Sequence, residues 1–405
     1  MQGSSAVEEE TGFQISKSLR FNDDDSPYLQ RTFGNGNARR YTWSGWIKRG
    51  ESGSGGCFFS AGTGGTDPRT DWQFINDSLY IGFNPTGSSW IEYQTNRKFR
   101  DHSAWLHLCV IVNTNDPVSA DRIKIYINGD REYSFSSSTS ISAGTELKLN
   151  SALSHSLGRY EASDSNYFDG QLADVYFLDG ELVHPSAFGE KDSTGVWNPK
   201  NPYDDNGKFK LRTPNNGTTW STYLTGVRGG SAETVTTPAG TFNHNLGIYG
   251  RLLHSSGDQS TLNFNPPGDG ITGQKVRLYC YQPQGTSGSR NRLSINGGEF
   301  REDVLWAGVG ANADGWTKEI EIPGGVLTSL SLKLTYAGNS SQTIWAIEID
   351  GVILVDGWTD HPTRKTNLYG TTWSAGTTAG GPYENNATKW GWPTAFNGYM
   401  ATDSN

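Results

Sequence analysis

The sequence predicts an all-β protein in which an N-terminal β-sandwich is followed by a second β-sandwich module. Glycine supplies 51 of the 405 residues and aromatic residues 12%, whereas charged residues supply only 19%. This composition is typical of strands joined by turns rather than of long helices. Short apolar or alternating runs recur along two stretches of the chain, separated by Gly, Asn, Asp and Ser. Two of the runs lead directly into Asn128-Gly129 and Asp350-Gly351, which are strong hairpin-turn signals.

The first series of strands covers residues 12–180, after a flexible N-terminal arm at residues 1–11. The run Tyr41–Ile47 alternates, which places Trp43 on one face of the strand and Trp46 on the other. Leu106–Val112 is almost entirely apolar, as expected of a strand in a sandwich core. Ile123–Ile127 alternates before its Asn-Gly turn. We therefore expect one two-sheet sandwich over 12–180.

The second series of strands covers residues 245–356. An irregular connector, punctuated by proline, is predicted over 181–244. The clearest strands of the second module are Lys275–Tyr281 and Ile344–Ile349. Residues 357–405 then form a tail that is rich in Gly, Thr, Asn and Trp.

The tail repeats part of the connector. The sequence of Gly217–Ser221 recurs at Gly370–Ser374, an offset of 153 residues, and Phe242 recurs as Phe396 at an offset of 154. Two landmarks with nearly one offset indicate a tandem module. The tail is therefore predicted to be the start of a repeated module.

Two tryptophans of the tail, Trp390 and Trp392, flank a single glycine. A short segment that carries several aromatic residues cannot bury them alone, and exposed apolar surface of this size marks an interaction site. We expect Trp390 and Trp392 to dock on the second sandwich, on another copy of the chain or on another protein.

Charge and composition exclude several classes of partner. Lys and Arg number 33 against 42 Asp and Glu, a net charge of −9, which argues against nucleic acid. No apolar run is long enough to insert into a membrane, and the N-terminus does not look like a signal peptide. The three cysteines, Cys57, Cys109 and Cys280, form no disulfide framework, which favours synthesis in a reducing compartment.

No catalytic residues are predicted. A retaining glycoside hydrolase needs two carboxylates on one face of a cleft. The nearest pattern is Glu348-Ile349-Asp350, but the third acid position is Ile353 and Gly351 turns the chain. Glu348 and Asp350 are therefore not expected to form a hydrolase pair.

Two kinds of binding site remain open. Trp90, Trp306 and Trp316 lie in loop-like contexts and are candidates for stacking on a sugar, with packing as the alternative for each. Asp164, Asn166 and Asp169 are candidate calcium ligands, because calcium prefers carboxylate and amide oxygens. The alternative for these three residues is a solvated acidic loop.

Three motifs in order resemble the laminin-G-like, or concanavalin A-like, jelly roll. They are Trp105-x-His107, the hairpin Ile125–Gly129 and the closing strand Phe168–Gly180. The resemblance implies that fold for 12–180. The continuation Val196-Trp197-Asn198-Pro199 and the run Ile347–Gly357 are similar to virion surface proteins of tailed phages, especially marine ones.

The resemblance implies a non-enzymatic phage virion surface protein, either a tail fibre or a head decoration. Such a protein would be made in the host cytoplasm and would attach to the particle, to a host surface glycan or to both. Its partners would be other virion proteins and further copies of itself in a homo-oligomer or multi-copy assembly. The alternative is a secreted lectin or a carbohydrate-active hydrolase of the concanavalin A-like class.

Overall fold

The computed structural model describes most of the chain between residues 13 and 357, and short pieces beyond. The described residues are 13–54, 56–64, 69–116, 118–203, 209–210, 214–243, 250–253, 259–282, 290–302, 313–335, 341–357, 363–364, 368–370, 374–375 and 399–401. They divide between two compact units, with boundaries at Phe209/Lys210 and Arg364/Lys365.

The first unit begins with fifteen strands. They are β1 (Leu19–Phe21), β2 (Leu29–Thr32), β3 (Arg40–Arg49), β4 (Cys57–Gly62), β5 (Arg69–Ile75), β6 (Ser78–Asn84), β7 (Ile91–Lys98), β8 (Leu106–Asn113), β9 (Ile123–Ile127), β10 (Asp130–Arg131), β11 (Phe135–Ser138), β12 (Ser154–Leu157), β13 (Gly170–Asp179), β14 (Gly189–Lys191) and β15 (Trp197–Pro199). Its helices are single 3-10 turns at Asp23–Asp25, Ser119–Asp121 and Pro185–Ala187.

Most of these strands belong to two antiparallel sheets. The first sheet has the order β10-β9-β8-β3-β13, with β1 also paired to β13. The second sheet has the order β11-β7-β6-β5-β4-β12-β2. Both sheets contribute side chains to one apolar core, in which Trp43 from the first sheet meets Trp72 from the second at a ring-centroid distance of 5.6 Å.

The local patterns of the sequence explain this packing. Leu106 and Leu108 enter the core, whereas His107 is buried on the other face of β8. The turn after β9 has positive φ at both Asn128 and Gly129, at 51° and 78°. Two consecutive residues of this kind make the type I′ turn that fits the twist of a hairpin.

The strands β14 and β15 form a hairpin beside the outer face of the first sheet. Trp197 of this hairpin clusters with Trp46 and Ala173, which lie on that outer face. The ring of Trp197 also stacks on His107, with 5.8 Å between centroids. Trp46 and Ala173 on this side of the sheet therefore pack against the hairpin.

Within the described residues, the second unit begins with fourteen further strands and also contains three 3-10 turns. The strands are β16 (Phe209–Lys210), which crosses the boundary, β17 (Leu224–Arg228), β18 (Ser231–Glu233), β19 (Gly250–Leu253), β20 (Gln259–Phe264), β21 (Ile271–Thr272), β22 (Lys275–Gln282), β23 (Arg290–Ile295), β24 (Ala313–Trp316), β25 (Ile320–Glu321), β26 (Val326–Leu327), β27 (Leu330–Thr335), β28 (Ser341–Ile349) and β29 (Val352–Ile353). The 3-10 turns are Trp220–Tyr223, Pro238–Phe242 and Pro323–Gly325.

Two antiparallel sheets enclose the core of the second unit. One sheet has the order β18-β17-β20-β27-β23 and the other β19-β28-β22-β24. The structure differs here from the connector expected over 181–244, because Trp220 and Phe242 are buried in this core and β17 belongs to one of its sheets. The prolines and glycines of this stretch mark 3-10 turns and short strands rather than a linker.

Four short strands follow: β30 (Thr363–Arg364), β31 (Leu368–Gly370), β32 (Ser374–Ala375) and β33 (Tyr399–Ala401). The backbone of β33 pairs in parallel with β13, and β32 pairs with β2.

The prediction of an all-β protein with two successive β-sandwiches is confirmed by this architecture. Strands and single-turn helices make up the regular structure of the described ranges, and none of those helices could span a membrane. Cys57, Cys109 and Cys280 are all buried and carry free thiols. Burial raises the pKa of the Cys57 thiol well above its ordinary value.

Candidate functional site

The outer face of the second sheet carries a row of polar side chains, which we call the polar face. Trp72 and Phe74 enter the core from β5, so the alternate residues of β5 point to the other side. The same alternation holds for β6 and β7. The polar face consists of Arg69, Asp71, Gln73, Tyr80, Gly82, Glu92 and Gln94.

Asp71 is the centre of the polar face. Gly82 of β6 lies opposite Asp71 on one side and opposite Glu92 on the other. The Gln73 amide donates a hydrogen bond to Asp71 Oδ2 at 2.8 Å, whereas Oδ1 is buried without a partner among the described residues. Burial, reinforced by the charge of Glu92, raises the pKa of Asp71 to about 6.

Gly82 makes room for this arrangement. A Cβ atom at position 82 would lie 2.7 Å from Asp71 Oδ1 and 2.5 Å from the ring of Tyr80. Both distances are too short for a side chain to be accepted without movement of its neighbours. The sheet therefore has a glycine where two side chains of the polar face close over the backbone.

Tyr80 joins the centre of the polar face to Glu92. Its hydroxyl donates to Glu92 Oε2 at 3.2 Å, and the Ser137 hydroxyl donates to Oε1 at 2.6 Å. Burial raises the pKa of Tyr80, and the charge of Asp71 raises it further. The Tyr80 phenol therefore keeps its proton and acts as a donor.

Trp90 and Tyr160 lie beside Arg69 at the side of the polar face. The Arg69 guanidinium carbon is 5.2 Å from the centroid of the Trp90 ring, within the range of a cation–π contact. Arg69 also donates to the Tyr160 hydroxyl. Burial is the main cause that raises the pKa of Tyr160 to about 12. Trp90, a residue singled out from the sequence, thus lies beside Arg69, which is two residues before Asp71 on the same face of β5.

The chemistry of the polar face suits a ligand with many hydroxyl groups. Amide, carboxylate and phenol groups supply both donors and acceptors, and the half-buried indole of Trp90 supplies a flat apolar surface. Sugar rings combine the same two properties, with hydroxyls at the edge and C–H groups on the face. A binding site of this kind needs few polar groups, provided that they are held in place by the fold.

The other tryptophans expected to contact sugar have different surroundings. Trp316 ends strand β24 rather than lying in a loop, and only 4% of its surface is exposed. The Arg277 guanidinium carbon is 4.1 Å from the centroid of its ring. In this position Trp316 is a packing residue. The sequence around it looks like a loop, but it forms a strand because it pairs with β22. Trp306 lies outside the described residues.

The three candidate calcium ligands have different surroundings. Asp164 Oδ1 is 2.6 Å from the Arg159 guanidinium. The Asn166 backbone carbonyl accepts a hydrogen bond from the Cys57 amide at 2.8 Å. The pKa of Asp169 is raised by burial and by the charge of Asp23. Within the described residues, no group of three or more His, Cys, Asp or Glu side chains is arranged to hold a metal ion.

Glu348 and Asp350 have structural partners. Glu348 forms a two-armed ion pair with Arg277, in which Nε–Oε1 is 2.6 Å and Nη2–Oε2 is 2.8 Å. Asp350 accepts hydrogen bonds from the backbone amides of Gln274 and Lys275. Through these contacts the two carboxylates stabilise strand pairing in the second unit.

The repeated motif has a structural role in its first copy. The Trp220 indole donates to Asn215 Oδ1 at 3.2 Å, and the Ser221 amide donates to Asp356 Oδ1 at 2.9 Å. These contacts attach the motif to the end of the last hairpin of the second unit. The second copy cannot be compared in the same way, since Trp373, Trp390 and Trp392 lie outside the described residues.

Sequence reasoning missed Asp71, Tyr80 and Glu92, because each stands alone in the sequence. Lateral pairing of three strands brings them together, and the register of that pairing cannot be read from any one strand. One local signal was present: Asp71 and Gln73 alternate with Trp72 and Phe74, which predicts a strand with a polar outer face.

Comparison with known proteins supports the fold of the first unit. Residues 23–187 match the family described as the concanavalin A-like lectin/glucanases superfamily. No curated protein matches the chain in sequence. Three similar solved structures are a heptameric SAP-like pentraxin from Limulus polyphemus (19% identity, 42% of this chain, 74% of the pentraxin, TM-score 0.27), tailspike protein 2 of an Escherichia coli O157:H7 bacteriophage (13%, 42%, 23%, 0.30) and the sialidase CBM40 of Ruminococcus gnavus (11%, 39%, 95%, 0.29).

Proposed function

We propose that this protein is a non-enzymatic glycan-binding protein of a phage virion surface, and that the polar face of its first unit contacts the glycan. The observation that carries the proposal is the cluster of Asp71, Tyr80 and Glu92 on one face of a lectin-type jelly roll, with Trp90 beside Arg69 at the side of that face. The first unit has a fold of the carbohydrate-binding type. The virion location is supported by the phage-like sequence around Trp197 and along the last hairpin.

A glycan-binding assay with matched variants tests the role of the polar face. We expect Trp90→Ala to weaken binding to a glycan array by about tenfold, because the indole is the flat apolar surface of the site. Trp90→Phe should retain part of the affinity. Tyr133→Ala is the control, since Tyr133 also lies beside an arginine, with 5.0 Å between Arg131 and its ring centroid. Equal binding by wild type and Trp90→Ala would contradict the proposal.

The virion location needs a different experiment. Cryo-electron microscopy of an intact particle that contains this chain should place it on the outside, in several copies, in contact with other virion proteins. Its position would also distinguish a tail fibre from a head decoration. A chain that is found free in the medium, and never on a particle, would favour the secreted lectin instead.

Hydrolysis of the bound glycan is the second candidate function, and one observation favours it. Asp71 has a raised pKa, as a general acid requires, and a second carboxylate, Glu92, lies across Gly82 from it. Release of reducing ends from a β-glucan that is lost in both Asp71→Asn and Glu92→Gln would establish it. Binding without release in the wild type would support the non-enzymatic function.

A further inference from the structure

A cavity of about 1030 Å³ lies on the outer face of the first sheet. Trp46, Gln171 and Ala173 of that sheet line its floor. The extended segment 13–18 forms one wall, and the hairpin of β14 and β15 forms the other. Ligand sites in proteins typically enclose about 300–1,000 Å³, so the cavity is large enough for more than one sugar unit.

The hairpin wall is held rigidly by Trp197. A Cβ atom on Gly129 would lie 2.2 Å from the Trp197 ring, and one on Gly189 would lie 2.4 Å from it. The indole therefore fits closely against two glycines, while its face stacks on His107. Because the ring is enclosed on these sides, the hairpin has little freedom to collapse into the cavity.

A second feature fixes the turn of the same hairpin. Asp192 Oδ1 accepts hydrogen bonds from the backbone amides of Thr194 and Val196, at 2.8 and 3.0 Å. Its Oδ2 accepts from the Asn198 amide at 2.9 Å. The Thr194 hydroxyl also donates to Oδ1 at 2.7 Å, and this hydrogen bond, together with the others, lowers the pKa of Asp192 to about 2. The wall is thus formed before any ligand binds, which reduces the entropy that binding must overcome.

The lining combines aromatic surface with an available amide. The indoles of Trp46 and Trp105 both line the cavity. Only 7% of the surface of Trp46 is exposed, whereas Trp105 is half-buried. Gln171 is half-buried in the floor of the cavity, so its side-chain amide can bind a ligand hydroxyl.

The charges of the lining nearly balance. Lys191 is 2.9 Å from Asp130, and Lys200 is 3.6 Å from Glu190. The remaining charged residues of the lining are Lys17 and Asp192, which have opposite signs. A polyanion such as nucleic acid or a sulfated glycan would need an excess of positive charge. An uncharged ligand does not need such an excess of positive charge.

We infer that this cavity binds a neutral oligosaccharide, which stacks on the half-buried Trp105 and donates or accepts hydrogen bonds at Gln171, with Trp46 in the floor beneath it. It is a second site, on the opposite sheet of the sandwich from the polar face. The two sites share no residue, so one domain can contact two glycan chains at once.

Calorimetry on the full chain with neutral glucose, mannose and galactose oligosaccharides tests this inference. We expect at least one of them to bind, and Trp105→Ala to weaken that binding by about tenfold or more. Gln171→Ala should weaken it less, because one hydrogen bond is lost. Tyr133→Ala is the control, since Tyr133 lines neither the cavity nor the polar face, and Trp90→Ala reports separately on the polar face.

The outcomes separate this inference from the proposed function. Binding that depends on Trp105 and Gln171 but not on Trp90 supports the cavity, whatever the result at the polar face. Unchanged affinity in both Trp105→Ala and Gln171→Ala overturns the inference, even if Trp90→Ala abolishes glycan binding. The absence of binding by every neutral oligosaccharide also overturns it. If the Trp105→Ala variant fails to fold, Gln171→Ala still tests the inference.

Discussion

Asp71 and Gly82 face each other across neighbouring strands, and the Oδ1 atom of Asp71 occupies the space that a side chain at position 82 would need. The carboxylate therefore lies in a recess of the sheet, away from water. The raised pKa of Asp71 follows from that position, and so does the lack of a hydrogen-bond partner for Oδ1 among the described residues.

Stability should depend on the protonation of Asp71. Its pKa is about 6 in the folded chain against 3.8 ordinarily, so the folded state holds a proton that the unfolded state has lost. This contribution is complete below about pH 4 and disappears as the pH rises through about 6. We expect Asp71→Asn to stabilise the first unit by about 2 kcal/mol at neutral pH and to flatten this dependence. Urea unfolding at several pH values measures it.

Asp192→Asn is the control for that experiment, since the pKa of Asp192 is lowered rather than raised. The Asp192→Asn substitution should remove a stabilising contribution that the wild type has near neutral pH and loses in acid. This pH dependence has the opposite sign to that of Asp71. If Asp71→Asn follows the wild-type pH profile, the carboxylate is not buried as the structure has it.

Gly82→Ala should displace the centre of the polar face. The new methyl group would meet Asp71 Oδ1 and the Tyr80 ring, both of which are ends of side chains and can move. We expect a loss of about 1 kcal/mol in the free energy of unfolding and a change in the pKa of Asp71 measured by NMR. Gly34→Ala is the matched control, since a Cβ there would meet nothing within 4 Å. An unchanged Asp71 resonance in Gly82→Ala would contradict the described geometry.

Breaking the buried ion pair of the second unit should be costly. Only 2% of the Arg277 side chain and 6% of the Glu348 side chain are exposed. Glu348→Gln leaves a buried guanidinium without its counter-charge, and we expect a loss of about 3–5 kcal/mol in unfolding free energy. The double variant Arg277→Met with Glu348→Leu should recover most of it. Loss of a β-glucan cleavage activity in Glu348→Gln would instead give this residue the catalytic role that the sequence argues against.

His107 should make the first unit sensitive to acid. Burial lowers its pKa to about 3, so the ring stays neutral in the folded state and binds a proton only on unfolding. The stability it contributes is complete above about pH 6.5 and is lost as the pH falls. His107→Phe, which can still stack on Trp197, should remove part of this loss, as measured by thermal unfolding at several pH values. His102→Gln, at a partly exposed position, should not.

The sequence predicted the fold well where the deciding interactions are local. The turn at Asn128-Gly129 needs two residues that accept positive φ, and the chain places them directly after an alternating strand. Leu106 and His107 lie on opposite sides of β8, as the two-residue period requires. Such features depend on neighbours in the chain and can be read without the rest of the molecule.

The sites depend on contacts that no local pattern encodes. Asp71 and Glu92 become neighbours only because β6 lies between their strands in one particular register. The cavity requires residues 13–18 and the hairpin around Trp197 to lie on the same side of the first sheet. Trp316 was misplaced for the same reason, since its strand exists only by pairing with β22.

The burial of all three thiols has a practical consequence. Thiol reagents attack the exposed thiolate, and Cys57, Cys109 and Cys280 offer neither exposure nor, at Cys57, a ready thiolate. The three natural thiols should therefore not react with maleimide dyes while the chain is folded. A single cysteine introduced at exposed Ser163 would then be the one position that takes a fluorophore or a spin label, with no need to remove the natural cysteines first.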